Sequence, residues 1–347
     1  MPRWSNPGAA AGIAAAVLFG ASAPIAKVLL GDISPWLLAG LLYTGSGISL
    51  FAWRLARRTP RVRLAPGQWR PLAGAVFFGG VLGPVLLLTA LASMPASGAS
   101  LLLNAEGVFT AVIAWVVFRE NADRRILLGF VLIVAGALTL SWPGQADFAG
   151  AWPTLALLGA CLAWGIDNNL TRQVSLADAS FLAAIKGAVA GPVNLVLALI
   201  AGATWPSWAM VGWAGLLGTV SYGVSLMAFI VAMRHVGTAR AGAYFSAAPF
   251  FGAALAVAMG EPLTWVLVVA GVLMGAGVWL HLSETHAHEH THEPITHDHW
   301  HTHDDDHHDH EHAEPVAPGT RHRHHHTHAA VTHDHAHFPD AHHRHTH

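Results

Sequence analysis

Gly98-Ala-Ser-Leu-Leu-Leu-Asn-Ala-Glu-Gly-Val-Phe-Thr-Ala-Val-Ile-Ala-Trp-Val-Val-Phe-Arg-Glu120 is an apolar run that ends in an acid. Ala239-Arg-Ala-Gly-Ala-Tyr-Phe-Ser-Ala-Ala-Pro-Phe-Phe-Gly-Ala-Ala-Leu-Ala-Val-Ala-Met-Gly-Glu261 repeats that form 141 residues later. In each copy a second apolar run follows with an Ala-Gly pair, Ala135-Gly136 or Ala276-Gly277. Phe109 matches Phe250, Val116 matches Val257, and Val131-Leu132 matches Val272-Leu273; seven of 43 ungapped positions are identical over 98–140 and 239–281. Identity that low arises by chance between apolar segments. The shared register is the stronger sign, and repeated spans organise many membrane transporters.

Composition agrees with a membrane body. Of 347 residues, 53% are hydrophobic and 11% charged, well away from a soluble domain. The average hides a split: one His, His235, precedes residue 281, whereas 281–347 hold 25 His among 67 residues. The single cysteine, Cys161, lies in an apolar stretch, which excludes an internal disulfide and reads as a small core residue. Sixteen Arg against two Lys, with abundant Ala and Gly, points to a GC-rich bacterial source.

Crossing a hydrocarbon core of ~30 Å takes about 20 helical residues. On that measure the apolar runs predict spans at 9–30, 34–55, 71–92, 97–118, 124–142, 151–171, 180–201, 208–233, 240–260 and 263–282. The run from Ala9 is too long for the core of a cleaved signal peptide and reads as the first span. Thirteen of the 15 basic residues before the tail then fall in alternate connections: Arg3; Arg54, Arg57, Arg58, Arg61, Arg63 and Arg70; Arg119, Arg124 and Arg125; Arg172; Arg234 and Arg240. The positive-inside rule puts those connections, and both termini, in the cytoplasm.

Five spans per copy force the second copy to enter from the opposite side. The charges agree: the loop Met94-Pro-Ala-Ser97 is neutral, whereas its counterpart Arg234 to Arg240 is basic. The remaining cations of the first spans correspond too. Lys27 follows Gly20 by seven residues and Arg172 follows Gly165 by seven. Both read as headgroup anchors near opposite boundaries.

The two five-span copies, the Gly…Lys/Arg feature and the stretch Leu102 to Glu120 resemble the drug/metabolite transporter superfamily, EamA branch, over roughly residues 9–282. Many members carry Glu-Pro before such a Phe-Thr-Ala run; here Gly107 takes the place of that Pro, while copy two keeps Pro249. The resemblance implies a ten-helix secondary transporter and leaves the cargo open among amino acids, sugars, nucleotide sugars, amines and drugs.

The expected fold is therefore all-α and integral to the membrane, with ten transmembrane helices in two inverted five-helix repeats, 1–142 and 143–282. A disordered His-rich tail, 283–347, follows. In such carriers the substrate sits near the midplane at broken helices. The helix-break candidates are Pro24, Gly83, Pro84 and Pro249, with Gly79, Gly80 and Pro192 as further interruptions; ordinary kinks and close packing are the plainer reading of each. Glu106 lies nine residues into the fourth span, about 14 Å deep at the helical rise. A carboxylate there is costly and faces a cavity or a partner, so a proton or a cationic substrate is expected to compete for it. A structural, hydrogen-bonded group is the alternative.

Trp164, Asp167, Asn168 and Thr171 form one polar stripe of the sixth span. Asp167 lies about 23 Å from the outer surface and Lys186 about 9 Å from the inner one. These depths coincide on adjacent antiparallel spans and predict an ion pair. Tyr244 and Asn194 are weaker lining candidates.

Segments such as Thr296 to His303 and Asp304 to His312 have too few apolar residues to form a core. Neutral imidazoles suit Zn, Ni or Co, and the metal candidates are His299, His301, His303, His307, His308, His310, His324, His325 and His326. His288-Glu-His-Thr-His292 matches a zincin pattern literally, but in a tail this rich in His the match carries no weight. No nucleophile elbow, phosphate loop or paired catalytic carboxylates appear in the body, so neither an enzyme nor a required cofactor is expected.

The expected function is secondary transport, as an exporter of small solutes across the bacterial inner membrane by alternating access. The alternatives are a divalent metal transporter, or one gated by metal at the tail, and a membrane-tethered metal sensor or buffer. Expected partners are the lipid bilayer, a small-molecule or ion substrate, divalent metal and a second copy of the chain. Nucleic acid is not among them, because the basic residues follow loop topology.

Overall fold

The protein is described by a computed structural model covering residues 7–60, 62, 64–118, 124–141, 151–174, 178–236, 238–282, 286–292, 295–301, 322–328 and 331–337. The chain divides into two compact units, Met1–Glu284 and Thr285–His347. The first unit is helical. Helices α1 (Pro7–Gly20) and α2 (Ser22–Leu29) meet at Ala21 and precede α3 (Pro35–Ala56). A π-helical segment, Val76–Leu82, joins α4 (Trp69–Ala75) to α5 (Gly83–Ser93). Then come α6 (Ala96–Leu102), α7 (Ala105–Phe118), α8 (Arg124–Ser141), α9 (Ala151–Arg172) and α10 (Ala179–Ile200). A second π-helical segment, Thr219–Val224, joins α11 (Trp208–Gly218) to α12 (Ser225–Val236). The unit ends with α13 (Thr238–Phe245), α14 (Ala248–Ala258) and α15 (Trp265–Leu282).

Among the described residues, six helical stretches are long and apolar enough to cross a membrane: Pro7–Leu29, Pro35–Ala56, Pro66–Ser93, Ala96–Val117, Ser180–Ile200 and Trp208–Ala232. Leu127–Leu140, Ala248–Ala258 and Trp265–Leu280 are apolar but shorter. Large apolar side chains cover the outside, as lipid contact requires; Ile200 is 77% and Val116 68% exposed. Of the exposed tryptophans, Trp36, Trp69, Trp152, Trp208, Trp265 and Trp279 lie near helix ends, while Trp213 sits midway along α11. An indole fits near a helix end because its apolar body and its N–H want the two sides of the headgroup boundary.

The helix interruptions have separate chemical causes. At the first π segment the Gly83 N–H reaches back to Phe78 O rather than to Gly79 O, and Pro84 has no N–H to offer Gly80 O. Two carbonyls are thereby released inside a span, where each needs a donor. At the α13–α14 break, Pro249 has no N–H for Phe245 O. Between α6 and α7 the break falls at Leu103-Asn104, three residues before Gly107, and no proline makes it. Asn104 donates its side-chain Nδ2 to Leu101 O at 2.8 Å, and its own N–H also turns back to Leu101 O at 3.1 Å. An Asn that bonds the backbone locally competes with the helix ladder. The two copies thus break by different means and two residues apart in the shared register, at Leu103-Asn104 and at Ser246-Ala247.

Between helices the packing relies on small residues, as expected where lipid removes the hydrophobic drive. α3 and α10 approach through Gly47 and Gly187, where a Cβ on Gly187 would lie 2.6 Å from Gly47 Cα. α8 and α15 pack reciprocally: Gly136 faces Ala270 and Met274, while Gly277 faces Gly129 and Ile133. Adding 141 residues turns Gly129 and Gly136 into Ala270 and Gly277, so each copy offers the other the same contact.

The described tail residues depart from the disorder expected of them. They form β1 (His286–His292), β2 (Ile295–His301), β3 (His322–His328) and β4 (Val331–His337), with β1 antiparallel to β4 and β2 antiparallel to β3. Alternation of His with other residues suits an extended backbone, and ladder hydrogen bonds need no apolar core. His299 and His301 fall on β2 and His324, His325 and His326 on β3, with His299 opposite His324 and His301 opposite His322. His303, His307, His308 and His310 lie outside the described residues.

Candidate functional site

The carbonyls released by the first π segment organise the polar interior. Gly79 O accepts from Tyr43 Oη at 2.7 Å and from Trp164 Nε1 at 3.0 Å, and Gly80 O accepts from Asn194 Nδ2 at 2.9 Å. Donors from α3, α9 and α10 thus converge on one distorted turn. Glycine at 79 and 83 is required by proximity. A Cβ on Gly79 would overlap the Asp167 carboxylate, and one on Gly83 would stand 2.8 Å from Trp164 Nε1.

Beside this turn lies the ion pair. Lys186 Nζ on α10 is 2.5 Å from Asp167 Oδ1 on α9, and Thr171 Oγ1 bridges them, 2.9 Å from the carboxylate and 3.1 Å from the ammonium. The depths read from the sequence place these two side chains together, and they meet. Each charge is thereby neutralised locally, as a buried ion requires.

One turn of α9 separates Asp167 from Trp164, which lines a cavity of about 340 Å³. Glu106, at the start of α7, lines the same cavity. Its Oε1 accepts from Asn168 Nδ2 at 2.9 Å, and Asn168 also reaches Thr110 Oγ1 at 3.1 Å. Asn169 holds α9 to α7 through Thr110 O at 3.0 Å. Phe19, Ser100, Asn104, Phe245 and Pro249 contribute further walls. The breaks at Leu103-Asn104 and Ser246-Ala247 therefore both border this space.

The sequence pattern of the EamA-like transporter family matches residues 6–142 and again residues 151–283. The chain belongs to the EamA-like transporter family. It is a multi-pass membrane transporter. An uncharacterized transporter of Methanothermobacter thermautotrophicus is 30% identical over 292 residues, covering 77% of this chain and 84% of that protein. The uncharacterized inner membrane transporter YedA of Escherichia coli K12 is 23% identical, covering 76% and 89%. A probable amino-acid metabolite efflux pump of Salmonella typhimurium is 29% identical over 46% of this chain and 51% of its own length. One solved crystal structure has a similar fold, with a TM-score of 0.60 at 18% identity, covering 79% of this chain and 95% of its own.

Within this transporter the sequence candidates separate. Glu106, Trp164 and Pro249 line the cavity. Asn168 holds Glu106, and Asp167 and Lys186 form the pair beside them. Tyr244 instead sets its ring against Gly12 of α1, and its neighbour Phe245, a helical step of about 100° away, supplies the wall. Pro24 lies in α2 just past the Ala21 break, and Gly83 and Pro84 open α5. Asn194 is fully buried and serves Gly80 O.

Lys27 does more than the anchor reading expects. Its partly buried Nζ donates to Leu91 O at 2.8 Å and to Met94 O at 2.6 Å. The last carbonyls of α5 lack helical partners and attract a cation. Glu261 acts on the same turn, taking the Ala96 N–H at 2.6 Å and the Ser97 N–H at 2.8 Å. Positive φ at Gly260, 108°, lets the chain leave α14 toward that contact. The side chains of Arg172 and Glu120, the counterparts in the other copy, lie outside the described residues.

Tyr43, Ser100, Phe19 and Phe245 are neighbours of this candidate site that the sequence pattern does not single out. The one available signal was Tyr43, a tyrosine midway along an apolar span.

Proposed function

We propose that this transporter moves small solutes out of the cell across the bacterial inner membrane, by alternating access between two inverted five-helix halves. The chain crosses ten times and keeps both termini in the cytoplasm. The observation that carries this reading is Glu106, a carboxylate on the wall of a cavity bordered by helix breaks from both copies. Polar groups at broken helices are where such carriers hold their cargo.

The packing pattern supports the inverted repeat. α9 packs on α5 and α7, and α1 packs on α12 and α14. α3 packs on α10, and α8 on α15. Exchanging the halves reproduces the same set of pairs, as a pseudo-twofold axis in the membrane plane requires. The reciprocal glycine contacts of α8 and α15 support the same relation. The metal-linked alternatives have nothing beyond the composition of the tail in their favour.

In this reading Glu106 couples transport to a proton or to the cargo, and the Lys27–Glu261 turn shuts the outer end. Flux of a metabolite panel in reconstituted vesicles tests it, with Glu106→Gln beside the wild type. Flux by the wild type and its loss in a folded variant is expected. Equal rates in both would remove Glu106 from the coupling role, and no flux of any solute would remove the transport reading.

A further inference from the structure

We propose that the cavity beside Glu106 accepts a lipophilic monoamine: an organic ammonium bearing an aromatic or branched apolar group and no carboxylate. This deepens the transport reading by naming the class of cargo, and it rests on that reading for the movement but not for the binding.

Charge selects the class. Among the described residues Glu106 is the one charged side chain on the cavity wall. The neighbouring charges are committed elsewhere: Lys186 to Asp167, Lys27 to the carbonyls of Leu91 and Met94, and Glu261 to the N–H groups of Ala96 and Ser97. Among the described residues the wall therefore presents one negative charge and no cation. A zwitterion would bring a carboxylate into a low-dielectric space where none of those residues offers it a positive charge, and that penalty discriminates against it.

Hydrogen bonding has room for the ammonium. Asn168 satisfies Oε1 of Glu106, and among the described residues no donor reaches Oε2. Ser100 also lines the cavity; its buried Oγ has no hydrogen-bond partner among the described residues and packs against Gly252, where an added Cβ would stand 2.7 Å from it.

Apart from Ser22, Asn104 and Ser246, the remaining wall is apolar and aromatic. Phe19 and Phe245 lie 5.2 Å apart between ring centroids, tilted at 45°, and Trp164 completes the aromatic lining. Ring faces attract an ammonium in a desolvated site and also cover an apolar body. A volume of about 340 Å³ sits at the small end of ligand pockets, which suits an arylalkylamine and excludes a peptide or a nucleotide sugar.

Equilibrium binding of radiolabelled tryptamine to the full-length chain in detergent, with tryptophan as competitor, tests the class, since the two differ only by the carboxylate. Tryptamine should bind, and tryptophan should compete about tenfold or more less well. Glu106→Gln should weaken tryptamine about tenfold or more, because a hydrogen bond to a charged group is worth at least one such factor. Glu106→Asp, which keeps the charge, should retain most of the binding. Equal or better competition by tryptophan, no tryptamine binding, or equal loss in both variants overturns the proposal. If Glu106→Gln does not fold, the tryptophan competition on the wild type decides alone. Vesicles that move other solutes while tryptamine fails to bind leave the transport reading intact and sink this one; vesicles that move nothing while tryptamine binds do the reverse.

Discussion

Lys27 and Glu261 hold opposite sides of one turn. The lysine takes the carbonyls of Leu91 and Met94 at the end of α5, and the glutamate takes the N–H groups of Ala96 and Ser97 at the start of α6. Each side chain complements the sign of the helix end it meets. The two residues come from different halves of the chain, so the turn is pinned to both.

Loss of either partner should loosen that turn. Glu261→Gln and Lys27→Met are each expected to destabilise the detergent-purified protein by about 1 kcal/mol, the usual worth of a helix cap. A thermal-unfolding double-mutant cycle reads the coupling between them. Strict additivity would show that the two act independently.

Gly79 and Gly107 should respond oppositely to alanine. A Cβ at 79 overlaps the Asp167 carboxylate, whereas a Cβ at 107 meets open space. Gly79→Ala is expected to cost roughly 1–3 kcal/mol through overpacking. Gly107→Ala should be neutral or stabilising by up to about 1 kcal/mol. Melting temperatures of the two variants compare them directly, and a harmless Gly79→Ala would contradict the contact.

Asp167 and Lys186 should tolerate exchange better than loss. Removing one member of a buried pair leaves an uncompensated charge, at about 3–5 kcal/mol. Asp167→Asn or Lys186→Met alone should therefore reduce the folded yield sharply, and the double exchange Asp167→Lys with Lys186→Asp should recover part of it. Elution profiles of the purified variants measure this. An exchanged protein no better folded than either single variant would show that position, not charge, sets the requirement.

Acid should weaken the junction of α3 and α10. Asp178 caps α10 and lies 2.9 Å from Arg54. Burial pushes its carboxyl up, but the Ser180 hydroxyl, the N–H groups of Phe181 and Ser180 and the Arg54 guanidinium outweigh that and hold its pKa below the usual aspartate value. A depressed folded-state pKa adds stability above the unfolded pKa, about 3.9, that fades as the pH falls through the lower folded value. Thermal stability should therefore decline below about pH 4, and Asp178→Asn should flatten that part of the profile. An unchanged slope would mean that other carboxylates dominate it.

How much the sequence discloses differs from residue to residue. Glu106 is conspicuous because a carboxylate deep in an apolar run has few tolerable surroundings. Asp167 and Lys186 can be paired by counting helical rise from opposite ends of adjacent spans. Lys27 is only half legible by the same arithmetic: its depth fits a headgroup anchor, but its partners are carbonyls 64 and 67 residues away in the chain. Glu261 reads only as a marker of the repeat, since its partners lie 165 and 164 residues away. The α6–α7 break escapes a search for proline because Asn104 produces it.

The sequence by itself determined that this chain is a helical membrane transporter with a repeated body and a separate His-rich tail. Apolarity, span length and repeat register are local properties, readable along one strand of text. Only the tertiary structure decided which polar groups share the interior: Tyr43, Trp164 and Asn194 on the two carbonyls of a π turn, and Glu106 beside Asn168 on a common cavity. Those meetings depend on how far each helix is rotated and where it breaks, and a rotation of one residue, about 100°, moves a side chain from cavity to lipid.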